Sequence, residues 1–202
     1  MLRVGLTGGV ACGKSTIAAM LERRGARVIK ADEIAHKLMS PGQPVYDAVV
    51  EYFGREILKT DDSIDRPKLA ALVFPLRVKE LNALVHPAVV KYQDDWMEQV
   101  GRENPNAVAI VEAALIFEAG AADHFDRMIV VLCSFDQKAE RFASRTGMEL
   151  SQAREEVRRR SSAQFPDEDK AAQADYIIDN SASLEHVERQ VENLWAELQQ
   201  AK

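Results

Sequence analysis

Cysteine is almost missing from this chain. Cys12 and Cys133 are the only two in 202 residues, and no CxxC pair exists. Neither a zinc site nor a redox dithiol is therefore indicated, and the composition suits a reducing compartment. Cys133 follows the apolar run Met128–Leu132 and is expected to pack inside. A basic surplus is missing too. Acidic residues outnumber basic ones 32 to 26, for a formal net charge of −6. Nucleic-acid binders carry a basic stripe, and only the short run Arg158, Arg159, Arg160 resembles one, so no nucleic-acid partner is expected. Any anionic ligand must be held by local groups rather than by the whole-protein field. Long apolar runs are also lacking. None approaches the roughly 18 residues that span a bilayer, and Lys14 and the nearby glycines interrupt any signal-peptide core. A soluble cytoplasmic protein with no membrane partner, monomeric or weakly homo-oligomeric, is the expectation. Internal repeats and low-complexity segments are absent.

What remains is 47% hydrophobic, enough for a sizeable core in one domain or in one core carrying insertions. Arg3–Thr7 reads as a strand followed by glycines. Ser15–Arg24 has helical spacing through Ile17, Met20 and Leu21, with Gly25 placed as a C-terminal cap glycine. Arg27–Ile29 is a second strand, completing a βαβ unit. Three further apolar runs read as buried strands: Ala107–Val111, Met128–Leu132 and Tyr176–Asp179. Between them lies a helix-rich middle third: Asp32–Leu38, Val45–Phe53, Arg66–Phe74, Leu76–Val85 and Pro87–Val100, with Pro87 at a first helical position. Residues 60–65 form a polar turn. A charged helical region follows over Gln137–Gln173. The last helix, Leu184–Gln199, aligns Val187, Val191, Leu194, Trp195 and Leu198 on one stripe. Five short strands separated by helices predict a parallel sheet with helices on both faces.

The stretch GLTGGVACGKST (5–16) carries the chemistry. Gly8, Gly13, Lys14 and Ser15 satisfy G-x-x-x-x-G-K-[ST], after a strand and before a helix, which is the context a phosphate loop requires. Its glycines let backbone N–H groups converge as an anion nest, and the helix start adds partial positive charge. Lys14 supplies a full charge to β- and γ-phosphates, Ser15 offers a hydroxyl to Mg²⁺, and Thr16 adds a donor. The loop thus predicts a nucleoside triphosphate with Mg²⁺, without saying where the phosphoryl group goes. A GTPase switch would show D-x-x-G and N-K-x-D, and neither spacing occurs. A motor ATPase would show a hydrophobic run ending in an acid. Ala107–Glu112 matches that weakly and reads equally as a buried strand with a polar end. A small kinase, with inserted helices for an acceptor pocket and a cover that excludes water, fits better.

The residues then resemble one family, dephospho-CoA kinase, over nearly the whole chain. The phosphate loop, VIKADEIAH (28–36), YFGREIL and IDRPKLAALVF (52–74), LNALVHP (81–87), LIFE (115–118) and the run from Gln164 through Lys170 to ADYIIDNS (174–181) follow its order and spacing. The resemblance implies a P-loop NTPase core, a three-layer α/β/α arrangement with a five-stranded parallel sheet. It also implies a helical acceptor-binding insertion and a helical lid. The implied boundaries are 1–33, 106–135 and 171–202 for the core, 34–105 for the acceptor domain and 136–170 for the lid. The implied reaction moves the γ-phosphoryl of ATP to the ribose 3′-hydroxyl of dephospho-CoA.

Site residues follow in the same way. Asp32 reads on its own as an N-cap for the helix at Glu33; the resemblance makes it the general base for the acceptor hydroxyl. Arg141, on one helix face with Gln137 and Arg145, resembles a lid arginine that reaches the transferring phosphates, so Lys14, Asp32 and Arg141 are the expected catalytic residues. Nucleotide contacts are expected at Gly8, Gly9, Ala11, Cys12, Gly13, Lys14, Ser15, Thr16, Asn180 and Ser181. Arg66 and His86 are expected beside the acceptor, and Phe53 and Phe74 in the core. Three departures stand out. Lys30 replaces an acid that the family usually has there, removing one candidate outer-shell group for Mg²⁺. Ala11 puts a methyl where glycine is common, so its φ is expected to be negative or strained. Cys12, near Lys14 and a helix start, reads either as a thiol that favours thiolate, open to reagents that block ATP, or as a neutral swap for the serine common there.

Overall fold

A computed structural model describes residues 1–74 and 76–201; Pro75 and Lys202 lie outside the described residues. The chain divides into two compact units, residues 1–29 with 97–202 and residues 30–96. In chain order the elements are β1 (Leu2–Gly8), α1 (Lys14–Arg23), β2 (Arg27–Lys30), α2 (Ala31–Leu38), α3 (Pro44–Phe53), α4 (Arg66–Val73) and α5 (Val78–Glu103). There follow β3 (Val108–Glu112), β4 (Arg127–Leu132), α6 (Phe135–Thr146), α7 (Leu150–Ser161), α8 (Asp167–Ala171), β5 (Tyr176–Asp179) and α9 (Leu184–Gln200).

The first unit is built on a five-stranded sheet of order β2-β3-β1-β4-β5. β1 pairs in parallel with both β3 and β4, and β4 with β5. The alternation along β1 sends Leu2, Val4 and Leu6 into one cluster with Ile110, Ile129, Val131 and Ile178. α1 covers that cluster with Ile17, Met20 and Leu21, and α9 with Val187, Val191, Leu194 and Leu198. This is the stripe expected of the last helix. On the opposite face, Met128 and Val130 meet Ile116 and Phe117 from the β3–β4 connection. Because β1 lies between β3 and β4, the chain leaves its carboxyl end at the switch point of the sheet, where parallel sheets form their ligand crevice. Gly25 sits just past the α1 cap with φ +107°. It is the glycine turn that returns the chain to β2.

The helical unit contains α2, α3, α4 and the first part of α5. Asp65 caps α4, accepting the Lys68 N–H at 3.2 Å. The 60–65 turn closes on a bridge between Leu58 and Ile64, and Tyr46 donates to the Asp62 carbonyl at 2.6 Å. Two expectations are corrected here. Pro87 does not begin a helix; it lies inside one 26-residue helix, α5. An interior proline removes one backbone bond and costs about 3 kcal/mol. The buried stripe Val85, Val89, Gln93, Met97 and Val100 runs through it at helical spacing, and that packing holds the helix continuous. Phe53 is buried as expected, but Phe74 is 47% exposed, because α4 stops at Val73 and Phe74 turns extended. Among the described residues no helix is long and apolar enough to cross a membrane.

Candidate phosphate-binding site

The loop between β1 and α1 is shaped by two glycines. A methyl group on Gly8 would collide with the Val131 carbonyl and lie 2.8 Å from the Cys12 sulfur. One on Gly13, at φ +96°, would collide with the Asn180 amide. The loop is therefore pressed against β4 and the end of β5, where no side chain fits. Ala11 takes φ +55°, the strained outcome of the two expected. Its methyl and Val10 pack against Phe142, Ala153 and Val157 of the α6–α7 hairpin, and this contact fixes the hairpin on the loop.

Lys14 opens α1, and its ammonium donates to the carbonyls of Gly8 at 3.0 Å and Gly9 at 3.1 Å. The Ser15 hydroxyl donates to Glu112 Oε1 at 2.6 Å. Glu112 ends β3 and is buried, and its second carboxylate oxygen has no hydrogen-bond partner. The weakly matching run ending in an acid thus delivers its carboxylate to the loop. Thr16 is exposed at the helix start.

From the other side, Arg141 donates to the Cys12 carbonyl at 3.3 Å and the Asn180 carbonyl at 2.9 Å. The buried Asn180 amide donates to the same Cys12 carbonyl at 2.7 Å. Ser134 and Gln137 form a capping box at the start of α6, and Gln137 also donates to the Ser181 carbonyl at 2.7 Å. Arg145 lies over the Phe142 ring at 5.4 Å instead. The structure thus brings Gly8, Gly9, Ala11, Cys12, Gly13, Lys14, Ser15, Thr16, Arg141, Asn180 and Ser181 together.

Cys12 corrects the expectation of an open thiolate. Its side chain is fully buried in the apolar cluster beneath the loop. Only its carbonyl faces the polar groups, so the sulfur is not open to reagents. Cys133 is buried as expected, and burial, first, then Cys12 push its thiol upward despite Arg141 and Lys138.

In the helical unit, Asp32 is the second residue of α2, exposed, and not its cap; Lys30 holds that position in extended backbone. β2 runs straight into the helix, so the acid falls inside the first turn, where the dipole favours it. The Lys30 ammonium pairs with Glu33 at 2.8 Å. His36 is held below the usual histidine range by burial and by Arg66, against Asp32 and Glu33. Burial alone lowers Arg66 and His86. Asp32, His36 and Arg66 thus share one electrostatic neighbourhood.

Sequence reasoning missed two ion pairs built on buried lysines. Lys138 pairs with Asp167, and Lys170 with Glu118 at 2.8 Å. Glu118 Oε1 also accepts the Phe165 N–H at 2.8 Å, tying the chain before α8 to the β3–β4 connection. Lys138 shares a helix face with Arg141 and Phe142 at i, i+3 and i+4, a spacing that could have flagged it.

A sequence profile of dephospho-CoA kinases matches residues 2–186. The chain belongs to the dephospho-CoA kinase family. It is 41% identical to the dephospho-CoA kinase of Geobacter metallireducens over 98% of this chain and 96% of that one. It is 38% identical to that of Aquifex aeolicus over 98% of both. A dephospho-CoA kinase structure from Campylobacter jejuni superposes with a TM-score of 0.70 at 26% identity, covering 98% of this chain and 97% of that one. A Thermus thermophilus protein, TT1252, gives 0.76 at 33% identity, over 96% of both chains. A shikimate kinase from Acinetobacter baumannii, at 10% identity and a TM-score of 0.54 over 100% of this chain and 95% of that one, shares the fold. Family membership makes the chain a nucleotide-using phosphotransferase.

Proposed function

We propose that this protein transfers the γ-phosphoryl group of ATP to the ribose 3′-hydroxyl of dephospho-CoA, giving coenzyme A and ADP. The observation that carries the reading is family membership over nearly the whole chain, joined to a phosphate loop whose Lys14 ammonium rests on the Gly8 carbonyl and whose Ser15 hydroxyl meets Glu112. Asp32 accepts or orients the acceptor hydroxyl proton, and Arg66 and His86 border the acceptor. Residues 34–105 form the acceptor domain and 136–170 the lid. Lys14 and Arg141 give up backbone carbonyls to meet phosphate oxygens, whose charge spreads in a loose transition state. Asn180 and Ser181 hold the base through backbone groups.

Mg²⁺ suits the residues present. The Ser15 hydroxyl and the orphaned oxygen of Glu112 form an all-oxygen donor pair, as this ion prefers when phosphates supply further ligands. When bound, it neutralises charge on the transferring phosphates. We place the enzyme in the cytoplasm, as its two free cysteines suit, working as a monomer or weak homo-oligomer.

The test is ADP release with dephospho-CoA, with nucleoside monophosphates, and with no acceptor. Stimulation by dephospho-CoA alone is the expected result. Stimulation by a monophosphate instead would favour a kinase for another small nucleotide, and ADP release indifferent to any acceptor would favour a nucleotide switch. In the same assay Asp32→Asn loses transfer by about 100-fold or more and keeps ATP binding; wild-type turnover removes Asp32 from the base role.

A further inference from the structure

The phosphate loop touches an ion pair, built on a buried lysine, that the transfer described above leaves without a task. Lys138 stands in the first turn of α6 with its side chain 8% exposed, and pairs with Asp167 at the start of α8. Nothing but a hydrogen separates this pair from the loop, because Gly9 has no side chain. A methyl group built on Gly9 would lie 2.8 Å from Lys138 Nζ and 3.1 Å from Asp167 Oδ1. The same glycine's carbonyl accepts from Lys14 Nζ at 3.1 Å. Two ammonium groups therefore flank Gly9, one reaching back from α1 and one forward from α6.

Stability does not account for the pair. The Asp167 side chain is still 32% exposed, so burying the ammonium costs about as much as its partly screened attraction to that carboxylate returns. A lysine is moreover a compact charge on a flexible stem, able to change partners without moving its helix. The location says which partner is on offer. Lys14 serves the β- and γ-phosphates, and in this structure its ammonium rests on Gly8 and Gly9. The Gly8–Gly9 end is thus the γ end of the loop, while Gly13–Thr16 is the end that opens the helix.

We infer that Lys138 is a γ-phosphate-binding residue and that Asp167 holds it in reserve while the loop is empty. The proposal rests on the ATP-dependent reading above. ATP brings a γ-phosphate beside Gly9, and Lys138 exchanges the Asp167 carboxylate for a phosphoryl oxygen of higher charge. ADP brings no such group, so the ion pair stays closed. After transfer Lys138 returns to Asp167, which helps the enzyme tell ATP from its product.

The experiment is calorimetric titration of the full chain with Mg–ATP and with Mg–ADP, without acceptor, for wild type, Lys138→Met and Asp167→Asn. Lys138→Met weakens ATP by about tenfold or more, the value of a charge-assisted bond, and ADP by less than about twofold. Asp167→Asn frees the lysine and tightens ATP by about threefold or more, again sparing ADP. A role confined to anchoring α8 predicts the opposite sign, since Asp167→Asn would then loosen the loop. Equal changes for ATP and ADP in both variants, or weaker ATP binding by Asp167→Asn, overturn the proposal. Asp167→Asn is nearly isosteric and decides the question alone if Lys138→Met does not fold. Dephospho-CoA is absent from every arm, so an error in the acceptor reading would leave these titrations unchanged.

Discussion

Replacing Gly13 by alanine tests how the phosphate loop is held. Alanine at φ +96° meets the left-handed penalty of about 1–2 kcal/mol. Its methyl also collides with the Asn180 amide, which donates to the Cys12 carbonyl at 2.7 Å. Asn180 must swing away, and a buried carbonyl then keeps only the longer bond from Arg141 at 3.3 Å. Losing such a bond costs about 1–3 kcal/mol. Gly13→Ala should therefore destabilise the sheet-bearing unit by about 3.5 kcal/mol, the middle of those combined ranges. Asn180→Ala alone loses the same bond without the strain, about 1–3 kcal/mol. In the double variant the collision has no second partner and the bond is lost only once. The double variant should thus be no worse than Gly13→Ala by more than about 0.5 kcal/mol. Urea unfolding in a Trp96→Phe background reads this unit through Trp195, which packs against its core. Strict additivity of the two single effects would refute the clasp.

Arg141→Ala should lower kcat by about 100-fold while changing ATP KM much less if, as proposed, it leaves its present backbone carbonyls for the transferring phosphate in the transition state; a pure KM effect in steady-state kinetics rejects that contact. Lys170→Met strands the largely buried Glu118 carboxylate, 13% exposed, and should cost about 3 kcal/mol in urea unfolding, the lower end of the range for a broken buried pair. The Glu118→Gln/Lys170→Met pair should cost less than half of that, and an equal cost would mean the charges are not coupled. Burial lowers His86, and burial with Arg66 lowers His36. The unfolded chain therefore binds more protons than the folded one below about pH 6.5, and stability falls as pH drops through that value toward the lowered folded pKa values. Trp96 fluorescence in a Trp195→Phe background follows this in the helical unit. His86→Gln should flatten the slope between pH 6.5 and 5, and an unchanged slope removes His86 from the effect.

Local pattern was enough wherever the cause was local. GLTGGVACGKST needs only its glycines, its lysine and a strand before a helix, and it folds as those require. The continuous apolar runs became the sheet, since a parallel strand buried on both faces has nowhere to put a polar residue. The stripe in α9 packed as its 3.6-residue spacing dictates. The acceptor identity came from order and spacing along the whole chain, which the family comparison supports.

Long-range partners decided the rest. Proline chemistry argued for a break at Pro87, and the stripe on either side overruled it. Cys12 sits beside Lys14 in sequence, yet its side chain turns under the loop into apolar surroundings. Asp32 looked like a cap, and the direct run of β2 into α2 gave that place to Lys30. Asn180 meets Cys12, Lys138 meets Asp167 and Lys170 meets Glu118 across 168, 29 and 52 positions. No periodicity encodes such meetings, because they arise only when elements far apart in the chain pack together. Sequence alone determined that this protein grips phosphate, through residues that act within one turn of chain. Tertiary structure decided which distant charges and amides hold that grip, because burial makes a partner obligatory without saying where in the chain it lies.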